Sequence, residues 1–260
     1  MMKRHEVKGL ESNPTNGSFI INGDCFEAMA TMPDNHFDMV LVDLPYGMTD
    51  CKWDTVIDLE DIWTALERIC KPGAAMVFTA AQPFTSALIM SNIKNFKYCW
   101  YWNKSKATGH LNAKKQPMRN VEDIVVFYNK PPTYNPQMKI GTPFKGERPA
   151  KRPEGQNQDD IYGSYGTARN DNNGTRYPTQ TLEFKVQRGF HQTQKPVDLF
   201  RYLIRTYTNE GDRVLDFTAG SCTTGVAADS IGRKFVCIEK NEEYYNKSLE
   251  RFPYTLGRMV

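Results

Sequence analysis

The chain has 260 residues, of which 40% are apolar and 24% charged, and a formal net charge of +3 at pH 7. That length suits one large α/β domain, or a domain with an insertion, around a substantial core, and the composition is that of an ordinary globular protein. No stretch approaches the ~20 apolar residues of a membrane span. No secretory core follows Met1-Met2-Lys3-Arg4-His5, and Cys25, Cys51, Cys70, Cys99, Cys222 and Cys237 never form a C-x-x-C pair, so reduced thiols in a cytoplasmic protein are expected.

In chain order, residues 18–22 read as a strand, and Gly23-Asp24 opens a short helix through Met29. Residues 37–42 are a second strand. From Asp58 to Cys70 the apolar residues Leu59, Ile62, Leu66 and Ile69 follow helical spacing, and Lys71-Pro72-Gly73 is the stop signal. Ala74–Thr79 is a strand, Pro83–Ile93 a helix, and Tyr98–Trp102 and Ile124–Tyr128 are aromatic-rich strands. Between Lys130 and Gly189 periodicity disappears into Gly, Pro, Asn, Gln, Arg and Tyr, too long a span for a passive connection. Pro196 begins a helix, Val214–Phe217 is a strand, Thr223–Ile231 a helix and Phe235–Glu239 a strand. Asn241 caps a final helix to about Arg251. Alternating strands and helices predict a doubly wound α/β fold with a mostly parallel sheet. The expected division is a catalytic half over 14–130, an irregular recognition insertion over 131–190, and a cofactor-binding half over 191–254.

Two strand ends carry chemistry. The apolar run 37–42 stops at Asp43-Leu44-Pro45-Tyr46-Gly47: an acceptor, a stiffened backbone and a flat ring at the carboxyl end of a strand, where open α/β sheets bind ligands. That trio suits a planar base with an exocyclic amine. The second is Asp216-Phe217-Thr218-Ala219-Gly220-Ser221-Cys222-Thr223-Thr224, a small-residue turn leading into a helix whose N-terminal N–H groups suit a carboxylate or phosphate. The following strand ends in Glu239, placed to accept from ribose hydroxyls. Ahead of these lies His191-Gln192-Thr193-Gln194-Lys195-Pro196. Lys195 at a helix start opposes the helix dipole, so an anionic partner is expected for it.

Charge is uneven. Between Lys97 and Arg152 there are twelve Lys and Arg against three acids, the footprint of a polyanionic partner or of a solvated loop. No metal-ligand cluster is visible among His5, His36, His110 and His191.

These motifs resemble the β-class of S-adenosylmethionine-dependent DNA amino-methyltransferases, in particular bacterial and phage site-specific adenine-N6 enzymes. Asp43-Leu44-Pro45-Tyr46 is similar to their D-P-P-Y catalytic motif, Asp216–Thr224 to D-x-F-x-G-S-G-T-T, and His191–Pro196 to H-x-T-Q-K-P. Catalytic motif, variable region and then cofactor motif is the order of that class, and the likeness spans nearly the whole chain. It implies a Rossmann-like methyltransferase fold with circularly permuted motif order, S-adenosylmethionine as cofactor and double-stranded DNA as partner. Asp43, Leu44, Pro45 and Tyr46 would be catalytic, with Tyr46 stacking on a flipped base. The cofactor would lie on Asp24, Asp43, Thr193, Gln194, Lys195, Asp216, Phe217, Thr218, Gly220, Ser221, Thr223 and Glu239. Asp24 is equally a helix cap.

Lys104, Lys106, His110, Lys114, Lys115 and Arg119 are expected near DNA, with 109–112 as a loop by the base. Arg152, Arg169, Arg176, Asn172 and Asn173 are candidates for reading base edges. Cytosine-N4 methylation is the near alternative, though the family's N4 enzymes more often carry serine where Asp43 stands. A catalytically impaired DNA-binding relative and an RNA substrate are further alternatives, and a homodimer and a cognate restriction enzyme stay open. Two departures bear on function. Leu44 replaces a proline, which frees φ but keeps the carbonyl. Cys222 replaces a glycine, and would either strain a positive-φ position or crowd the cofactor.

Overall fold

The computed structural model describes residues 3–7, 17–47, 57–143, 172–187, 189 and 194–252. The chain divides into two compact units, Met1–Asn135 with Thr179–Val260, and Pro136–Pro178. In chain order the first unit contains β1 (Lys3–Val7), β2 (Ser18–Asn22), α1 (Cys25–Ala30), β3 (Phe37–Asp43), α2 (Leu59–Ile69), β4 (Cys70–Ala80), α3 (Phe84–Ser91), β5 (Phe96–Thr108), a 3-10 turn (His110–Asn112) and β6 (Arg119–Phe127). After the second unit come β9 (Thr181–Glu183), α4 (Val197–Tyr207), β10 (Arg213–Asp216), α5 (Thr223–Asp229), β11 (Lys234–Glu239) and α6 (Glu242–Leu249). The second unit holds β7 (Lys139–Ile140) and β8 (Thr175–Arg176), paired antiparallel.

The sheet of the first unit runs β1-β2-β11-β10-β3-β4-β6-β5-β9. From β2 to β4 every neighbour is parallel, while β1, β6 and β5 add antiparallel pairs. Parallel strands covered on both faces must be apolar on both, and these are. Met39 and Leu41 of β3 join one buried cluster with Leu203 of α4 and Ala227 of α5, whereas Val40 and Val42 join another with Met29 of α1 and Leu66 of α2. Helices on both faces make the fold the doubly wound α/β class expected.

The departures from the predicted elements have physical causes. Lys71-Pro72-Gly73 does not form a loop after α2. Cys70 is already extended and the tripeptide lies inside β4, where Pro72 favours the extended conformation of Lys71 before it. β5 and β6 run well past their aromatic cores to form a long antiparallel hairpin, with a register shift between Asn103 and Thr108. β1 and β9 carry no periodic pattern. β9 is an edge strand of three residues, and only Leu182 is buried. Its place is fixed by backbone pairing with β5 and by the indole of Trp102 donating to Phe184 O at 2.8 Å.

Candidate active site

Parallel strands leave their carboxyl ends on one edge, and the crevice there opens where the chain order along the sheet reverses, between β10 and β3. Thr218 Oγ1 crosses that junction and donates to Asp43 O at 3.0 Å, so two motifs 175 positions apart form adjoining walls. A cavity of about 590 Å³ lies over them. Its walls include Asp43, Leu44 and Pro45 after β3, Phe217 to Ser221 after β10, Glu239 to Asn241 after β11, and Asp24 to Phe26 after β2.

Asp43 is the most heavily engaged side chain. Its Oδ1 accepts from the Tyr46 hydroxyl at 2.7 Å and from Thr79 Oγ1 at 2.5 Å, and Oδ2 accepts from Lys195 Nζ at 2.7 Å. Lys195 is buried and lies 3.6 Å from Glu122 Oε2, while Glu122 Oε1 takes Lys104 Nζ at 2.8 Å. Burial pulls the Lys195 ammonium toward a lower pKa, but the Asp43 and Glu122 carboxylates outweigh it and hold the pKa above the usual lysine value. Burial, reinforced by the Asp43 charge, pushes the Tyr46 phenol well above its ordinary value, so it remains a donor.

These contacts bear on three expectations. The anion that Lys195 faces is the Asp43 carboxylate itself, although the lysine also lines the cavity. Lys104, expected on the DNA backbone, is buried against Glu122, because an ammonium removed from water needs a carboxylate and β6 supplies one. Tyr46, expected to stack on a base, rests its ring on Phe84 with centroids 5.2 Å apart and turns its hydroxyl to Asp43. Sequence reasoning missed Thr79, Glu122 and Phe84. Thr79 had a signal, since it lies at the carboxyl end of the strand beside β3, one residue before its last, and sits opposite Asp43 in the register.

The cofactor side is built more from internal bonds than expected. Asp216 is buried, and burial pushes its carboxyl up to about 7 against the pull of the Thr224 hydroxyl at 2.6 Å and the Thr218 N–H at 3.2 Å. Gly220 N donates to Glu239 Oε2 and Asn241 N to Glu239 Oε1, both at 2.7 Å, and Cys222 N donates to Ala219 O. Several turn N–H groups expected to face an anion are therefore satisfied within the protein. Burial raises the Glu239 carboxyl above its usual value, with those N–H groups pulling the other way. Each of its oxygens keeps a lone pair for a ribose hydroxyl.

Asp24 is a helix cap that also faces the cleft. It caps α1 by accepting from Phe26 N at 2.9 Å and lines the cavity, and Lys240 Nζ lies 3.2 Å away. Burial presses Asp24 upward, but the Lys240 ammonium and the capping N–H groups bring its pKa below the usual value. Gln194, Phe217, Ser221 and Thr223, expected on the cofactor, line the cavity; Thr193 lies outside the described residues.

Cys222 adopts φ 57°, so the position demands the left-handed conformation glycine would adopt freely. Its side chain is fully buried and packs into the core beside Gly225 and Cys237 instead of lining the cavity. The glycine replacement therefore strains the backbone without crowding the cleft. Cys25 does line the cleft, but burial and then the Asp24 charge raise its thiol to about 11, leaving it a poor nucleophile at neutral pH.

Lys106, His110, Lys114, Lys115 and Arg119 are all exposed on the distal part of the β5–β6 hairpin. In the second unit Arg176 binds Asn172 Oδ1 and donates to Thr142 O at 2.7 Å, so its guanidinium braces its own unit. Asn173 is likewise engaged, accepting from Thr175 at 2.7 Å. Arg152 and Arg169 lie outside the described residues.

The residues fit a nucleoside-bearing cofactor. The cavity volume is in the range of small-molecule sites, and Phe26, Ile57, Phe217 and Tyr244 give it flat apolar walls among carboxylates at strand ends. Fold and site together define an S-adenosylmethionine-dependent amino-methyltransferase on a Rossmann-like sheet. The sequence profile of the DNA methylase family, which spans N6 and N4 methylases, matches residues 37–250, and the chain belongs to that family. It is 29% identical over 254 residues to the DNA adenine methyltransferase YhdJ of Escherichia coli K12, covering 89% of this chain and 81% of that one. Among solved structures, the M1.HpyAVI–SAM complex is similar with a TM-score of 0.60 at 22% identity, covering 89% of this chain and 98% of the other. The cytosine-N4-specific PvuII DNA methyltransferase is similar with a TM-score of 0.64 at 16% identity, over 93% and 87%.

Proposed function

We propose that this protein is a β-class, site-specific methyltransferase acting on the N6 amine of an adenine turned out of double-stranded DNA. The observation that carries this reading is the Asp43–Thr218 junction, which sets the amine-binding strand end against the cofactor-binding turn. An adenine amine is a poor nucleophile because its lone pair is delocalised into the ring. Acceptors on both N–H bonds, the Asp43 carboxylate and the Leu44 carbonyl, localise that pair, and positioning supplies much of the rate. Asp43 receives the proton that the amine sheds. S-adenosylmethionine, bound over Asp24, Phe217, Gly220 and Glu239, supplies an electrophilic methyl group on a positively charged sulfur.

Phe84 stacks on the Tyr46 ring and the Lys195 ammonium lies over it, 5.8 Å from its centroid; the aromatic wall held in this way is assigned to stacking on the base, worth about 1–3 kcal/mol. Aspartate at position 43, where N4 enzymes more often have serine, and the similarity to an adenine methyltransferase favour adenine. The second unit, with Arg152 and Arg169, is assigned to target recognition.

Single-molecule sequencing of DNA from cells making the protein tests the reading. N6-methyladenine in one sequence context is expected, and N4-methylcytosine would overturn the base assignment. Asp43→Ala is expected to abolish methylation while S-adenosylmethionine still binds in calorimetry; normal turnover of that variant would refute the catalytic role.

A further inference from the structure

The β5–β6 hairpin is an arm with a clamped stem and an unusual tip. Its stem is tied to the catalytic carboxylate, because Lys104 of β5 and Glu122 of β6 pair at 2.8 Å and Glu122 faces Lys195, which holds Asp43. Ser105, at φ 57°, marks the irregular stretch beyond which the arm continues. The tip is compact. Gly109, at φ 89°, opens the 3-10 turn, Asn112 N bonds Gly109 O at 3.0 Å, and Lys115 N bonds Asn112 O at 2.8 Å. Thr108 Oγ1 then closes the hairpin onto Arg119 O at 3.2 Å.

Leu111 crowns this tip with 88% of its surface exposed, and Met118, just before the return strand, is 42% exposed. A lone exposed leucine is ordinary. This one is set among Lys106, His110, Lys114, Lys115 and Arg119, with no acid between residues 105 and 119. A cationic rim around an apolar point matches a polyanion with an apolar interior, which describes a base-paired duplex. The seven steps from Lys104 to Leu111 span at most about 25 Å, which bounds how far the tip lies from the stem tied to Asp43.

We infer that Leu111 is a wedge that enters the base stack as the target base turns out, while the surrounding cations hold the flanking phosphates. This rests on the reading of the protein as a DNA base-modifying enzyme and adds to it the group that holds the vacated stack open. Leucine suits the role because it fills the gap without needing a hydrogen-bond partner there.

The test compares single-turnover methylation of two duplexes carrying the sequence found methylated in cells, one fully paired and one lacking the base opposite the target. Leu111→Ala should slow methylation of the paired duplex by at least about tenfold, and come within about threefold of the unaltered protein on the second, where unpairing costs little. Leu111→Met should restore most of the rate on the paired duplex. Equal slowing of Leu111→Ala on both duplexes, or no slowing on either, overturns the wedge. An unaltered protein inactive on both duplexes would instead overturn the methyltransferase reading on which the wedge depends.

Discussion

Asp43 has one oxygen occupied by two hydroxyl donors and the other by an ammonium, so its carboxylate is oriented before any substrate arrives. Such preorganisation is effective because the donors need not reorganise during reaction. Lys195 was legible in the sequence as a lysine that needed an anion, but not as the partner of Asp43, since 152 positions separate them and only the fold joins them. Its role makes a divided prediction. Lys195→Met should lower turnover about 10- to 100-fold through loss of one orienting donor, while the calorimetric affinity for S-adenosylmethionine changes less than about threefold. Equal losses of turnover and cofactor affinity would place the lysine on the cofactor instead. Cys222 shows the same limit on reading. Its departure from glycine was visible, but whether it strained or crowded depended on where its sulfur pointed, and the core decided that.

Among the elements, α5 packs closely against β11 at Gly225. A Cβ there would lie 2.5 Å from Cys222 Sγ and 2.9 Å from Phe235 Cε2. Alanine favours a helix over glycine by roughly 1 kcal/mol, but overpacking a filled core costs about 1–3 kcal/mol. Gly225→Ala should therefore lower the urea midpoint, and adding Cys222→Ala should recover part of the loss; a raised midpoint for the single variant would refute this packing. The central strands and their helices were readable because burial on both faces imposes continuous apolar runs with helical patterns between them. β1 and β9 were not, since edge strands are fixed by backbone pairing that leaves little trace in side chains. The Lys71-Pro72-Gly73 breaker was real as the end of α2 but silent about what followed it.

For the whole molecule, acid sensitivity follows from His36. Burial, then the adjacent Arg213 guanidinium at 2.8 Å, depresses this imidazole to about 4, below the ordinary 6.5. The unfolded chain binds this proton at a higher pH than the folded one, so stability rises with pH across that interval. The contribution is complete above about pH 6.5 and is lost as pH falls toward 4. His36→Gln should flatten that part of the stability profile, measured by urea unfolding at successive pH values. An unchanged slope would mean that His36 titrates alike in both states. At this scale no helix among the described residues is long and apolar enough to cross a membrane.

The sequence by itself determined the alternation of strands and helices, the two strand ends proposed to bear the chemistry, and the family to which they belong. Those are consequences of local spacing, because apolar periodicity and strand-end residues lie within a few positions of one another. Tertiary structure alone decided which side chain faces which. Lys195 came to Asp43, Lys104 withdrew to Glu122, Tyr46 turned its hydroxyl to Asp43 and Cys222 entered the core. A buried charge takes whatever partner the neighbouring strand brings within reach, and the crossing of strands in space sets that partner.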